Sequence, residues 1–109
     1  MFLAVALLAL LASARAQGQC QTDITGDTSG KVVVLRDQVV PAGTRDMEIT
    51  LAANACASEP GRQHEGTAVT VCDWDAAPRV TMLNVRQARV TRTGSAVQTA
   101  VVHSTAYCK

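Results

Sequence analysis

Apolar residues recur at every second position in short stretches of this chain, and past its first residues they never sustain a helical period. Lys31–Arg36 (KVVVLR) is a β-branched run that predicts a strand. Val39–Gly43 continues it briefly, but Pro41 lacks the amide a ladder needs, so this piece reads as an edge or a turn. In Asp46–Leu51, Met47, Ile49 and Leu51 share one face while Glu48 and Thr50 take the other, the pattern of a half-buried strand. Thr67–Cys72 (TAVTVC) repeats it with Val69 and Val71. Arg79–Val85 (RVTMLNV) loses its parity between Met82 and Leu83, which predicts a bulge or a strand buried on both faces. Ala88–Thr93 and Ala96–Val102 flank Thr93-Gly94-Ser95, read as a hairpin turn. Gln17–Gly30 is polar and reads as an arm tethered by Cys20; Ser58–Gly66 is a loop, and Asp73–Pro78 turns the chain. Five to seven short strands without a helix predict an all-β fold, a small antiparallel sandwich or barrel. The cysteine and tryptophan spacing of immunoglobulin domains is absent, because Trp74 follows Cys72 and Tyr107 directly precedes Cys108.

The one long apolar run changes the domain picture. Phe2–Ala12 (FLAVALLALLA) precedes Ser13-Ala14-Arg15-Ala16, which carries small residues at both positions of an A-x-A cleavage site. Residues 1–16 therefore read as a secretory signal peptide and 17–109 as a single domain. Eleven helical residues reach about 16 Å, half of a ~30 Å hydrocarbon core, so no membrane span is expected. The expected location is secreted and extracellular.

Export gives the cysteines their meaning. Cys20, Cys56, Cys72 and Cys108 are an even set in a short chain, which predicts two disulfides stapling a core too small to be secure alone. Zinc sites need close cysteine pairs or nearby histidines, and His64 and His103 are isolated, so neither metal nor cofactor is expected. The outer gaps are equal, at 36 positions each, and Asp23 and Asp75 follow Cys20 and Cys72 at the same distance. This faint sign of two half-units would favour Cys20–Cys56 with Cys72–Cys108. The rival clasps the ends through Cys20–Cys108 and closes Cys56–Cys72, and spacing leaves all three connectivities open.

Charge is lopsided rather than large. The chain has formal net charge +1; without Arg15 the remaining nine basic residues balance nine acids. All nine acids lie at or before Asp75, so Gln17–Asp75 holds four basic residues against nine acids, net −5, and Ala76–Lys109 holds +5. Arg79, Arg86, Arg89 and Arg92 are the candidate polyanion-binding residues, or else the internal partners of the acidic half. Nucleic acid is not expected, since one Trp, one Tyr and one Phe make no stacking platform.

Catalysis finds little material. Ser104 adjoins His103, but neighbours on a strand point to opposite faces, and the cysteines are committed to disulfides. Asp73 and Asp75 read as turn residues that cap amides. His103 reads as a half-buried side chain at the end of an apolar strand. Trp74 and Tyr107 read as core rings, with a sugar-stacking role as the alternative. The expectation is a small secreted non-enzymatic binding protein, a hydrolase (protease) inhibitor or defence factor acting through a disulfide-supported loop. Its candidate contacts are Glu59, Arg62, Gln63 and His64, with Arg62 aimed at an acidic specificity pocket. The alternative is a structural, surface-acting or antimicrobial protein that binds polyanions through its basic C-terminal third. Either way the expected partner is an extracellular protein or a glycan.

Overall fold

A computed structural model describes residues 18–109; the expected signal peptide lies outside the described residues. Eight strands follow one another: β1 (Gln19–Gly26), β2 (Lys31–Val34), β3 (Gln38–Val40), β4 (Asp46–Thr50), β5 (His64–Asp73), β6 (Arg79–Asn84), β7 (Gln87–Thr91) and β8 (Ala100–Cys108). They form two antiparallel sheets. The larger has the order β1-β5-β8-β2, with β3 also paired to β8, and the smaller has the order β4-β7-β6. β2 and β3 are thus two lengths of one interrupted line along β8, opposite Thr105–Cys108 and Ala100–Val102 respectively. This is the sandwich form of the predicted all-β fold.

The period-two pattern explains which faces meet. In β5, Thr67, Val69, Val71 and Asp73 point inward, and in β8 Ala100, Val102, Ser104, Ala106 and Cys108 do so. From the smaller sheet come Ile49, Val80, Ala88 and Val90, and with Val40 and Leu51 they close one apolar core. The slipped parity of β6 is a register shift between Met82 and Asn84, as its sequence predicts.

Two expectations are corrected. The polar segment after residue 17 contains a full strand, β1, paired residue by residue with β5. Its inward side chains are polar because they bond backbone rather than fill core. Gln21 Oε1 accepts from the Val80 amide at 3.0 Å and Asp23 Oδ2 from the Met82 amide at 2.7 Å. Those amides lie on the open edge of β6, so β1 seals one side of the sandwich against stray strand pairing. Second, Thr93-Gly94-Ser95 is not a hairpin turn, for β7 and β8 lie in different sheets. Residues 92–99 cross between them. The Asp75 carboxylate accepts from the Ser95 amide at 2.8 Å, and the Ala96 carbonyl accepts from the Gly43 amide at 2.7 Å.

Both disulfides form, in neither of the two pairings pictured from spacing. Cys20 joins Cys72, its direct neighbour across β1 and β5, and Cys56 joins Cys108. The half-unit pairing fails because the leading cysteine of each half opens β1 but nearly ends β5, so the halves do not superpose as strands. Cys56–Cys108 is buried with Ala55 and Ala106; Cys20–Cys72 lies on the outer face of the larger sheet.

One ion pair sits inside the protein. Arg92 and Asp73 are both 0% exposed in their side chains. Nε donates to Oδ2 at 2.8 Å and Nη2 to Oδ1 at 2.9 Å, a two-pronged pair. The remaining guanidinium hydrogens reach the carbonyls of Pro41 (3.2 Å), Thr44 (3.4 Å) and Gln98. Removing one partner strands the other as a buried charge, at a cost of about 3–5 kcal/mol. Asp73→Ala and Arg92→Ala should each lower urea stability by that much. The double variant Asp73→Ala/Arg92→Ala should lose much less than their sum; additive losses would refute the coupling.

Candidate functional site

The outer face of the larger sheet is its least expected surface. Reading across β1, β5, β8 and β3, one row holds Cys20, Cys72, Val101 and Val39. The next holds Thr22, Thr70 and His103; the next Ile24, Ala68, Thr105 and Val34; the last includes Tyr107 and Val32. Ile24, Val32, Val34, Val39 and Val101 are all exposed. Thr22 and Thr70 are hydrogen-bonded through their hydroxyls at 2.6 Å, which fixes the centre of the face. Its one titratable strand residue besides Tyr107 is His103, whose Nδ1 lies 2.9 Å from Asp37 Oδ1. The side chains of both are about half exposed.

At one end of this face stands Trp74, 46% exposed. The expectation that it packs in the core is corrected. Asp73 turns inward to Arg92 and accepts from the Trp74 amide at 2.8 Å, which leaves the next side chain pointing out. Tyr107 shares the outer face, partly buried, and does not meet Trp74 at a common disulfide as a Cys72–Cys108 bridge would have required. The indole edges a groove of about 360 Å³. The Cys20–Cys72 bridge and Val101 supply its apolar part, and Gln98, Thr99 and His103 its hydrogen-bonding groups.

The loop before β5 is built otherwise than an extended binding loop. Successive tight turns bond Ala55 to Ala52, Ala57 to Asn54, Glu59 to Cys56 and Arg62 to Glu59. Around Pro60, Gly61 has φ of 78°, a conformation that favours glycine and makes the last of these a type II turn. The loop is also tied down. Gln63 and Lys109 exchange backbone hydrogen bonds at 3.0 Å, and Lys31 Nζ lies 3.1 Å from the Glu59 carboxylate. Arg62 is exposed, but its guanidinium bends back to the Cys108 carbonyl at 3.3 Å. Glu59, Arg62, Gln63 and His64 are therefore neighbours on a rigid shoulder.

His64 is the chemically unusual member. Thr67 Oγ1 donates its one hydrogen to the Val85 carbonyl, so it accepts from His64 Nε2 at 2.6 Å. Nδ1 is then an acceptor, buried without a partner. Burial, opposed by the Gly66 backbone and aided slightly by the positive charge of Arg86, holds the imidazole below its ordinary value.

The four candidate arginines do not make one basic surface. Arg92 is buried on Asp73. Arg89 is paired with Asp46 at 2.9 Å, an exposed bond that keeps the Asp46 carboxyl below its usual range. Arg79 and Arg86 are exposed and take part in no ion pair among the described residues. Among these residues, no three His, Cys, Asp or Glu side chains converge as metal ligands would, and no helix is long and apolar enough to cross a membrane. Ser104 points inward, with its hydroxyl buried and unpartnered, while His103 points outward. No family model matches the sequence, and no curated protein or solved structure matches it either.

The state of His64 gives stability a pH dependence. An unfolded histidine titrates at about 6.5, while the folded one takes up its proton only at lower pH. Stability is complete above the unfolded value and falls as the pH drops toward the folded one, since the unfolded chain binds the extra proton. Urea midpoints measured from about pH 7.5 to 5 should decline for the natural protein and decline less for His64→Gln. Equal slopes would exclude this source.

Proposed function

We propose that this chain is a small exported, non-enzymatic binding protein that contacts an extracellular glycan through the Trp74 groove and the outer face around it. The observation that carries this reading is the tryptophan standing half in solvent. A large apolar ring is normally spent on burial, and rings left open beside polar groups suit ligands with one apolar and one polar side. A pyranose ring has that character, with C–H groups for the indole face and hydroxyls for Gln98, Thr99 and His103.

The surrounding face supports the same conclusion. Its exposed Ile, Val and Trp side chains together present on the order of 500 Å² of apolar surface, at the upper end of the largest patch on an ordinary monomer. Two disulfides agree with an oxidising compartment and hence with export. The inhibitory version of the function rests on Arg62, and geometry supports it less well. A loop that enters a protease cleft in substrate fashion adds as an extended strand, whereas Arg62 closes a tight turn and folds back on Cys108. Polyanion binding by the C-terminal third has less support again, with Arg89 and Arg92 already paired.

Trp74 is the only tryptophan, so intrinsic fluorescence reports on this site alone. Titration with β-linked glucose and N-acetylglucosamine oligomers should shift its emission and saturate. Trp74→Ala should weaken binding, read by calorimetry, at least tenfold while leaving the urea midpoint nearly unchanged. Binding that survives Trp74→Ala, or no saturable shift with either series, would overturn the glycan reading.

A further inference from the structure

The two sides of the sandwich differ. On one, Gln21 and Asp23 of β1 bond the free amides of β6 and close the gap between the sheets. On the other, the stretch from β2 to β3 faces the end of β4, and a cleft of about 560 Å³ stays open. That volume lies within the range of small-molecule sites. Leu35, Leu51 and Ala52 provide its apolar lining, and Leu51 is a core residue, so one wall continues the hydrophobic interior.

Two arginines line this cleft, Arg36 from the link between β2 and β3 and Arg86 from the β6–β7 turn of the smaller sheet. Both residues are exposed, and neither takes part in an ion pair among the described residues. No acid lines the cleft. The nearest acid in sequence, Asp37, is engaged with His103 instead. Arg89 and Arg92, by contrast, have their carboxylates. Two unpaired like charges beside an apolar wall leave a positive site that a carboxylate suits well, since each guanidinium can take it through paired N–H donors.

We propose that this cleft binds an aliphatic carboxylate of the medium-chain fatty-acid class. The head group lies between Arg36 and Arg86, and the hydrocarbon chain runs along Leu35, Ala52 and Ala53. Gln38 and Thr50, also at the cleft, offer further hydrogen bonds to the head. This site is separate from Trp74 and does not rest on the glycan reading.

Calorimetric titration with decanoate tests it, with acetate as the head group alone and a short acidic peptide as the rival ligand. Saturable one-to-one binding of decanoate is expected, at least tenfold tighter than acetate. Arg36→Gln and Arg86→Gln should each weaken it tenfold or more, and Trp74→Ala should leave it unchanged. Both arginines are exposed, so their urea midpoints should stay near that of the natural protein, which separates lost binding from lost folding. The proposal is overturned by the absence of decanoate binding, by equal binding of acetate, by indifference to the two arginine variants, or by preference for the peptide.

Discussion

The Arg92–Asp73 pair is the constraint around which this fold is arranged. The guanidinium leaves the end of β7, the carboxylate ends β5, and the carbonyls that complete the cage come from the turn after β3 and from the 92–99 crossover. Four stretches of chain, from both sheets and the links between them, therefore meet at one planar group. A buried pair of this kind is a poor source of net stability when set against well-packed apolar side chains of similar volume. Its value here is geometric, because five donors in a fixed fork admit only one placement of their acceptors. It sends the chain after β7 across to the other sheet, and through Asp73 it turns Trp74 outward.

The consequences spread to both candidate surfaces. With Asp73 directed inward, the next side chain must leave the core, and the Trp74 groove exists for that reason. The crossover that Arg92 anchors also supplies Gln98 and Thr99 to the same groove. On the far side, among the described residues, no side-chain hydrogen bond like those of Gln21 and Asp23 joins β3 to β4, and the cleft beside Arg36 and Arg86 stays open. A small domain with one rigid corner and one open seam can offer two chemically distinct sites without a long loop.

Much of the fold was legible in the sequence, because most strands carry apolar side chains on a period of two. Val69, Val71, Ile49 and Met47 face the side that alternation assigns them, and the parity slip at Met82 and Leu83 marks a register shift. The failures have a common cause. β1 was hidden because its inward residues are Gln21, Asp23 and Thr25, chosen to bond backbone and not to fill volume. The disulfide pairing was hidden because it depends on β1 lying beside β5, which no local pattern announces. The sites were harder still. Hydrophobicity places a lone tryptophan in the core, and only the orientation of its neighbour Asp73 reverses that. A run of arginines looks like one basic face until their partners are known, and Arg36, the other half of the open cleft, stands outside that run.

The exposed Cys20–Cys72 bridge also has a physical explanation in these terms. β1 contributes no buried apolar side chain, so packing alone gives it little hold on the sandwich. It is kept by its ladder to β5, by two side-chain bonds to β6 and by the bridge, which can contribute about 2–4 kcal/mol by limiting the unfolded ensemble. A cross-link inside the core would displace apolar volume; on the outer face it displaces none. The same placement widens that face by one strand, adding Thr22 and Ile24 to the surface beside Trp74 and flooring the groove with sulfur. Holding β1 covalently thus extends an exposed apolar surface without relying on burial to keep it in place.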